Sequence, residues 1–156
     1  MNAQRGYTLV ELVTVMLIMG ILASVAAPRF FETNPFADAG FRAEARSAAR
    51  YAQKLAVASG CAIRIEFSTT GYTLQRWQGG ADCNDTGGTL ATVQRPGGGD
   101  FTGTAPQGVT VAAAALYFDG VGRPHDATSG ALLGTVQSIA VGSATVTIQP
   151  DTGLVE

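Results

Sequence analysis

A chain of 156 residues suits one domain of ordinary size. Hydrophobic residues make up 46% of it and charged residues 14%, against roughly a quarter charged in soluble domains. The net charge of −2 lacks the basic excess of a dedicated nucleic-acid binder, although it leaves room for a local basic patch.

The charge deficit is local. From Tyr7 to Ala27 the only ionisable side chains are Tyr7 and Glu11. The short leader Met1-Asn2-Ala3-Gln4-Arg5-Gly6 precedes an apolar run of about twenty residues, enough at about 1.5 Å per residue to span a hydrocarbon core. Arg5 before the run favours a cytoplasmic N-terminus. A cleaved secretory signal, with Ser24-Val25-Ala26 imitating its cleavage site, has a shorter apolar stretch and no carboxylate inside it. An ordinary membrane anchor explains the length but not Glu11, because an acid in lipid costs a few kcal/mol or more and normally has a partner.

The residues Gly6-Tyr7-Thr8-Leu9-Val10-Glu11-Leu12 resemble the signal of type IV prepilins and type II secretion pseudopilins. The resemblance implies cutting between Gly6 and Tyr7 by a prepilin peptidase, followed by N-methylation of Tyr7. The family more often has Phe at that position. Glu11 stands where the family keeps its glutamate, and Pro28 is also at a usual family position. On this reading Glu11 sets assembly register. The new N-terminal amine of one subunit is positive near neutral pH, and a carboxylate in the same apolar layer neutralises it, since two buried charges are tolerable only as a pair. Gly20, Ala23, Ser24 and Ala27 allow close helix approach, or simply face lipid.

The expected organisation is a leader over 1–6, a transmembrane and spine helix over 7–28, a continuation of that helix over 29–60 with a break near 33–36, and a β-rich periplasmic domain over 61–156. Pro28 is expected to kink or loosen the helix, because it lacks an N–H and clashes with the preceding turn. Asn34-Pro35 is the second break. From Phe36 to Ser59, Phe41, Ala45, Ala48, Ala52, Leu55 and Ala56 recur at three- and four-residue steps, the pattern of an amphipathic helix, and Gly60 ends it.

Period two follows. Ala62–Phe67 and Tyr72–Trp77 alternate across Ser68-Thr69-Thr70-Gly71 and predict a hairpin. Thr89–Gln94, Val109–Ala113 and Leu116–Phe118 read as strands. Val136–Val141 and Thr145–Ile148 form a second hairpin across Gly142-Ser143, and Pro150–Gly153 is a turn. The fold class is therefore α+β: a long N-terminal helix followed by a small antiparallel β-rich domain. Tyr72, Trp77 and Tyr117 are either contact residues or core, and aromatic residues in strands are more often core. Cys61 and Cys83 are either two buried thiols or a disulfide. The export segment and the polar loop around Cys83 favour the bridge, which closes a loop of about 22 residues and contributes about 3 kcal/mol.

Further stretches narrow the resemblance. Arg50–Cys61, Phe118-Asp119 with Gly122-Arg123-Pro124, and Thr147-Ile148 with Thr152-Gly153 are similar to the GspH/FimT group, especially to MshC-like minor pilins of the mannose-sensitive haemagglutinin (MSHA) pilus. The resemblance implies a scarce subunit that primes assembly or sits at the tip. Its partners would be other pilin or pseudopilin subunits, the inner membrane and the prepilin peptidase and methylase. The neighbouring expectation is a GspH-type pseudopilin of type II secretion.

Some FimT-like relatives bind DNA through a C-terminal Gly-Arg-x-Arg stretch. Here Gly122-Arg123-Pro124-His125 puts histidine in the second arginine position. Arg123 offers a phosphate contact, joined by His125 when protonated. Asp119 and Asp126 flank it, which favours a solvated turn. One imidazole with those two carboxylates is too little for a metal site. Asp82, Asn84 and Asp85 lack the closing glutamate of a calcium loop. Pro96–Gly99 has no Lys-Ser/Thr after it and is not a phosphate loop. With a single histidine and no Ser or Cys nucleophile in a recognised motif, neither a catalytic residue nor a cofactor is expected.

Overall fold

The computed structural model describes residues 8–31, 35–80 and 82–156, and the side chains of all of these but 25–31 and 35. The leader, Gly6, Tyr7 and residues 33 and 34 of the break expected near 33–36 lie outside the described residues. The chain divides into two compact units, Met1–Thr33 and Asn34–Glu156.

The first unit is built on α1, Leu9–Phe31. It starts where Thr8 caps it: the Glu11 N–H donates to Thr8 Oγ1 at 3.3 Å and the Leu12 N–H to the Thr8 carbonyl at 3.2 Å. The hydroxyls of Thr14 and Ser24 donate to the carbonyls of Glu11 and Ile21, so these polar side chains are satisfied by their own helix. The helix continues past Pro28 to Phe31. Among the described residues no helix is long and apolar enough to cross a membrane; the described side chains of α1 end at Ser24.

The second unit opens with α2, Pro35–Ser59. Proline suits the first helical position, where no intrahelical N–H bond is lost. Gly60, at φ 67°, takes the left-handed conformation that ends the helix. The face predicted for this helix is the buried one: Phe41, Ala45, Ala48, Ala52 and Ala56 are buried, together with Ala49, while Leu55 is half-buried. Small side chains let the sheet approach the helix axis closely.

That sheet is antiparallel, in the order β3-β2-β1-β5-β6, with β4 pairing to the start of β2. Its strands are β1 (Ile63–Ser68), β2 (Gly71–Gln78), β3 (Thr89–Thr92), β4 (Thr102–Thr104), β5 (Ala114–Phe118) and β6 (Pro124–Asp126). Strand β1 lies between β2 and β5, with Ile65 opposite Leu74 on one side and Leu116 on the other. Ile63, Ile65, Phe67, Tyr72, Leu74, Leu116 and Phe118 share the core with α2. The opposite face carries a smaller cluster of Ala62, Trp77 and Tyr117. A separate ribbon, β7 (Gln137–Val141) with β8 (Ala144–Ile148), adds Ile139, Val141, Val146 and Ile148 to the main core. Its turn is tied to α2 by Asp38, which accepts the Ser143 N–H at 3.1 Å and the Ser143 hydroxyl.

Three sequence expectations change. Val109–Ala113 is not a strand: Val111 makes an isolated bridge to Val141, and only two backbone bonds, Ala112 to Ala140 and Gly142 to Thr110, join the segment to β7. The turn expected at Gly122–His125 instead runs into strand β6, whose Pro124, His125 and Asp126 lie opposite Phe118, Tyr117 and Leu116 of β5. Strand β4 has the sequence Thr-Gly-Thr and so no apolar alternation to announce it.

Candidate functional site

Glu11 occupies the third position of the first turn of α1, where a carboxylate is favoured by the unpaired N–H groups of the helix start. Thr8 and Glu11 have the spacing of a capping box, a signal that the apolar run concealed in the sequence. Apart from Thr8 and Thr14, whose hydroxyls bond the helix backbone at Glu11, the helix surface around the carboxylate is apolar: Leu9 is 78% exposed, and Val10, Leu12, Val13, Val15 and Met16 are exposed as well. A contiguous apolar surface of this extent on one helix marks an interaction surface. Glu11 is the one acidic side chain in α1, set in its first turn.

Cys61 and Cys83 form a disulfide, with Cα atoms 5.1 Å apart. It fastens the polar loop after β2 to the junction of α2 and β1. Two hydrogen bonds reinforce the junction: Ala62 N–H to the Cys83 carbonyl at 3.2 Å, and Asn84 Nδ2 to the Gly60 carbonyl at 3.0 Å. In the same loop Asp82 accepts the Asn84 N–H and Asp85 the Gly87 N–H, which accounts for these carboxylates as turn formers. Among the described residues no group of three or more His, Cys, Asp or Glu side chains is placed to hold a metal ion.

Arg123 and His125 converge on Asp119. Oδ1 of Asp119 accepts the N–H groups of Val121 (3.1 Å) and Arg123 (2.8 Å); Oδ2 accepts Arg123 Nε (3.0 Å) and lies 2.9 Å from Nη2. His125 Nε2 is 3.1 Å from the same Oδ2, and its Nδ1 is 3.1 Å from the Gly130 carbonyl. Both ring nitrogens thus face acceptors, and only the doubly protonated ring donates to both. The imidazole stacks on Tyr117 at 4.8 Å, which meets Trp77 edge-on at 5.2 Å. Burial pushes the Asp119 carboxyl up, but the hydrogen bonds from Arg123, His125 and Val121 outweigh it and hold the group below the usual carboxylate range. Burial, then the Asp119 charge, raises the Tyr117 hydroxyl. This arrangement stabilises the β5–β6 turn. It directs Nε and Nη2 of Arg123 at a carboxylate of its own chain.

Of the aromatic residues weighed as contacts, Tyr72, Trp77 and Tyr117 are all buried. The Tyr72 hydroxyl donates to Glu44 at 2.7 Å, and Gly103 leaves room for that pair: a Cβ there would stand 2.8 Å from Glu44 Oε1.

The two units match two families in turn. Residues 1–27 match the prokaryotic N-terminal methylation motif, and residues 43–152 match type II transport protein GspH. No solved structure matches the chain.

Proposed function

The chain belongs to the GspH family of type II transport proteins, and from that premise we propose that it is a minor pilin acting in the assembly or at the tip of a type IV, MSHA-like pilus. A minor pilin or pseudopilin is what the two matches together support: a methylation motif over 1–27 joined to a GspH domain over 43–152. Such families are built of structural subunits that assemble with other pilins and are processed by a prepilin peptidase.

In this proposal the leader is cut between Gly6 and Tyr7, and Tyr7 is methylated. The apolar run to Ala27 holds the subunit in the inner membrane with the β-rich domain in the periplasm, and Pro28 loosens the helix where it leaves the spine. The observation that carries the reading is Glu11, a lone carboxylate in the capped first turn of an otherwise apolar helix surface. Its cost in lipid or in a helical spine is offset when the free amine of the neighbouring subunit meets it. The test is a Glu11→Ala variant: membrane levels should match the wild type, while the subunit disappears from sheared filaments. Equal recovery in filaments would remove the pairing argument.

A second reading, a minor pseudopilin of type II secretion, draws on the description of the matched family itself. Deleting the chain separates the two: loss of pili with normal secretion supports the pilus, and the reverse supports secretion. A DNA-capturing role gains little from the geometry, because Arg123 Nε and Nη2 and His125 Nε2 all face Asp119.

A further inference from the structure

The chain has three asparagines, and one of them, Asn84, opens an Asn-x-Ser/Thr triplet without proline in the middle, Asn84-Asp85-Thr86. Asn2 is followed two places on by Gln4, and Asn34 by Pro35 and Phe36. Such a triplet is the acceptor signal for attaching a saccharide to a side-chain amide, and it is used on surface loops of exported proteins. This one lies in the loop between β2 and β3, where Asp82, Cys83, Asn84, Thr86 and Gly87 are all exposed.

The fold presents the triplet in a fixed shape. The disulfide to Cys61 pins the residue before Asn84. Backbone bonds from the Asp85 N–H to the Asp82 carbonyl and from the Gly88 N–H to the Asp85 carbonyl close two turns around it. The two carboxylates of the loop serve those turns, Asp82 by accepting the Asn84 N–H and Asp85 by accepting the Gly87 N–H. The Thr86 hydroxyl, by contrast, has no partner among the described residues. A carboxamide nitrogen carries two hydrogens. One on Asn84 Nδ2 is directed at the Gly60 carbonyl at 3.0 Å, and the other has no partner among the described residues.

We propose that Asn84 is an N-glycosylation site. Nδ2 attacks the anomeric carbon of a lipid-borne glycosyl diphosphate in the active site of a membrane glycosyltransferase. The C–N bond forms as the C–O bond to the diphosphate breaks, the diphosphate leaves with the electron pair, and Nδ2 gives up one proton to a base of the transferase. The remaining N–H still donates to Gly60, so the saccharide is accepted without loss of the bond that anchors the loop. Its place in the fold gives it a use. Strand β3 ends the sheet, so its outer edge is open to pairing with another strand, and the exposed Leu90 adds apolar surface there. A hydrated saccharide on the loop that leads into β3 screens that edge. The proposal rests on the export assigned under the filament reading.

The test is mass spectrometry of the full-length protein purified from the membranes of the cells that make it. The expected mass exceeds that of the chain by whole sugar residues, and the excess maps to the peptide that holds Asn84. It should vanish in Asn84→Gln and in Thr86→Ala and persist in Thr86→Ser, which keeps the hydroxyl. Both positions are exposed, and an intact Cys61–Cys83 bridge in the same spectra shows that the variants fold. A bare Asn84 in the wild type overturns the proposal. So does an excess that survives Asn84→Gln, which places the saccharide on Thr86 or another hydroxyl. The N-terminal peptide of the same sample separates this result from the filament reading. A methylated Tyr7 at the N-terminus with a bare Asn84 leaves that reading standing and removes the site, and a chain beginning at Met1 with a modified Asn84 does the reverse.

Discussion

At the scale of single residues, a few side chains have roles that chemistry makes testable. Thr8 holds the start of α1 through the Glu11 N–H. Replacing it by Ala removes an N-cap worth about 0.5–2 kcal/mol and frays the turn that carries Glu11. Filament incorporation of Thr8→Ala should fall, but by less than for Glu11→Ala, as quantified in sheared fractions. Asp119 gives a pH signature. Its carboxyl lies below the ordinary value in the folded chain, so its stabilisation is present above the unfolded carboxylate pKa of about 3.9 and is lost as pH falls through the folded value. Thermal melts should therefore show Asp119→Asn less stable than wild type near pH 7, with the gap closing toward about pH 3. A gap that widens in acid would contradict the hydrogen-bonding scheme. Arg123→Ala should leave any DNA affinity of the full-length protein unchanged in gel shifts. A drop of about one in the log–log salt slope would show instead that Arg123 meets phosphate.

The elements show how much the sequence revealed and where it fell silent. Helix α2 and the two hairpins β1–β2 and β7–β8 were legible because each carries one unbroken periodicity, from Phe41 to Ala56 at helical steps and from Ile63 to Trp77 in alternation. Strands β4 and β6 were not, because Thr-Gly-Thr and Pro-His-Asp have no apolar face; the partners Gly71–Thr73 and Leu116–Phe118 make them strands. The Asp119 site was half legible. Its residues stand close in the sequence, yet their use as a clamp within the chain depends on β6 returning alongside β5. The alanine face of α2 makes its own prediction. Ala52 is fully buried against the sheet, so Ala52→Leu should cost about 1–3 kcal/mol by overpacking, read as a lower denaturation midpoint. The disulfide spans 22 residues. Replacing both cysteines by serine should lower stability by about 3 kcal/mol, and an unchanged midpoint would mean that the hydrogen bonds at Ala62 and Asn84 hold the loop unaided.

For the whole molecule the central claim is that two units do two jobs. In the proposed filament the apolar helix with its one acid joins the subunit to others, and the α+β unit follows it in the chain. The family matches divide the chain in the same way, 1–27 and 43–152. Everything proposed about filaments depends on the first unit being processed as a prepilin. Mass spectrometry of the protein extracted from membranes tests this most directly. The expected N-terminal peptide begins at Tyr7, lacks residues 1–6 and carries one added methyl group. A peptide beginning at Met1, in cells whose prepilin peptidase is active on another substrate, would contradict the account.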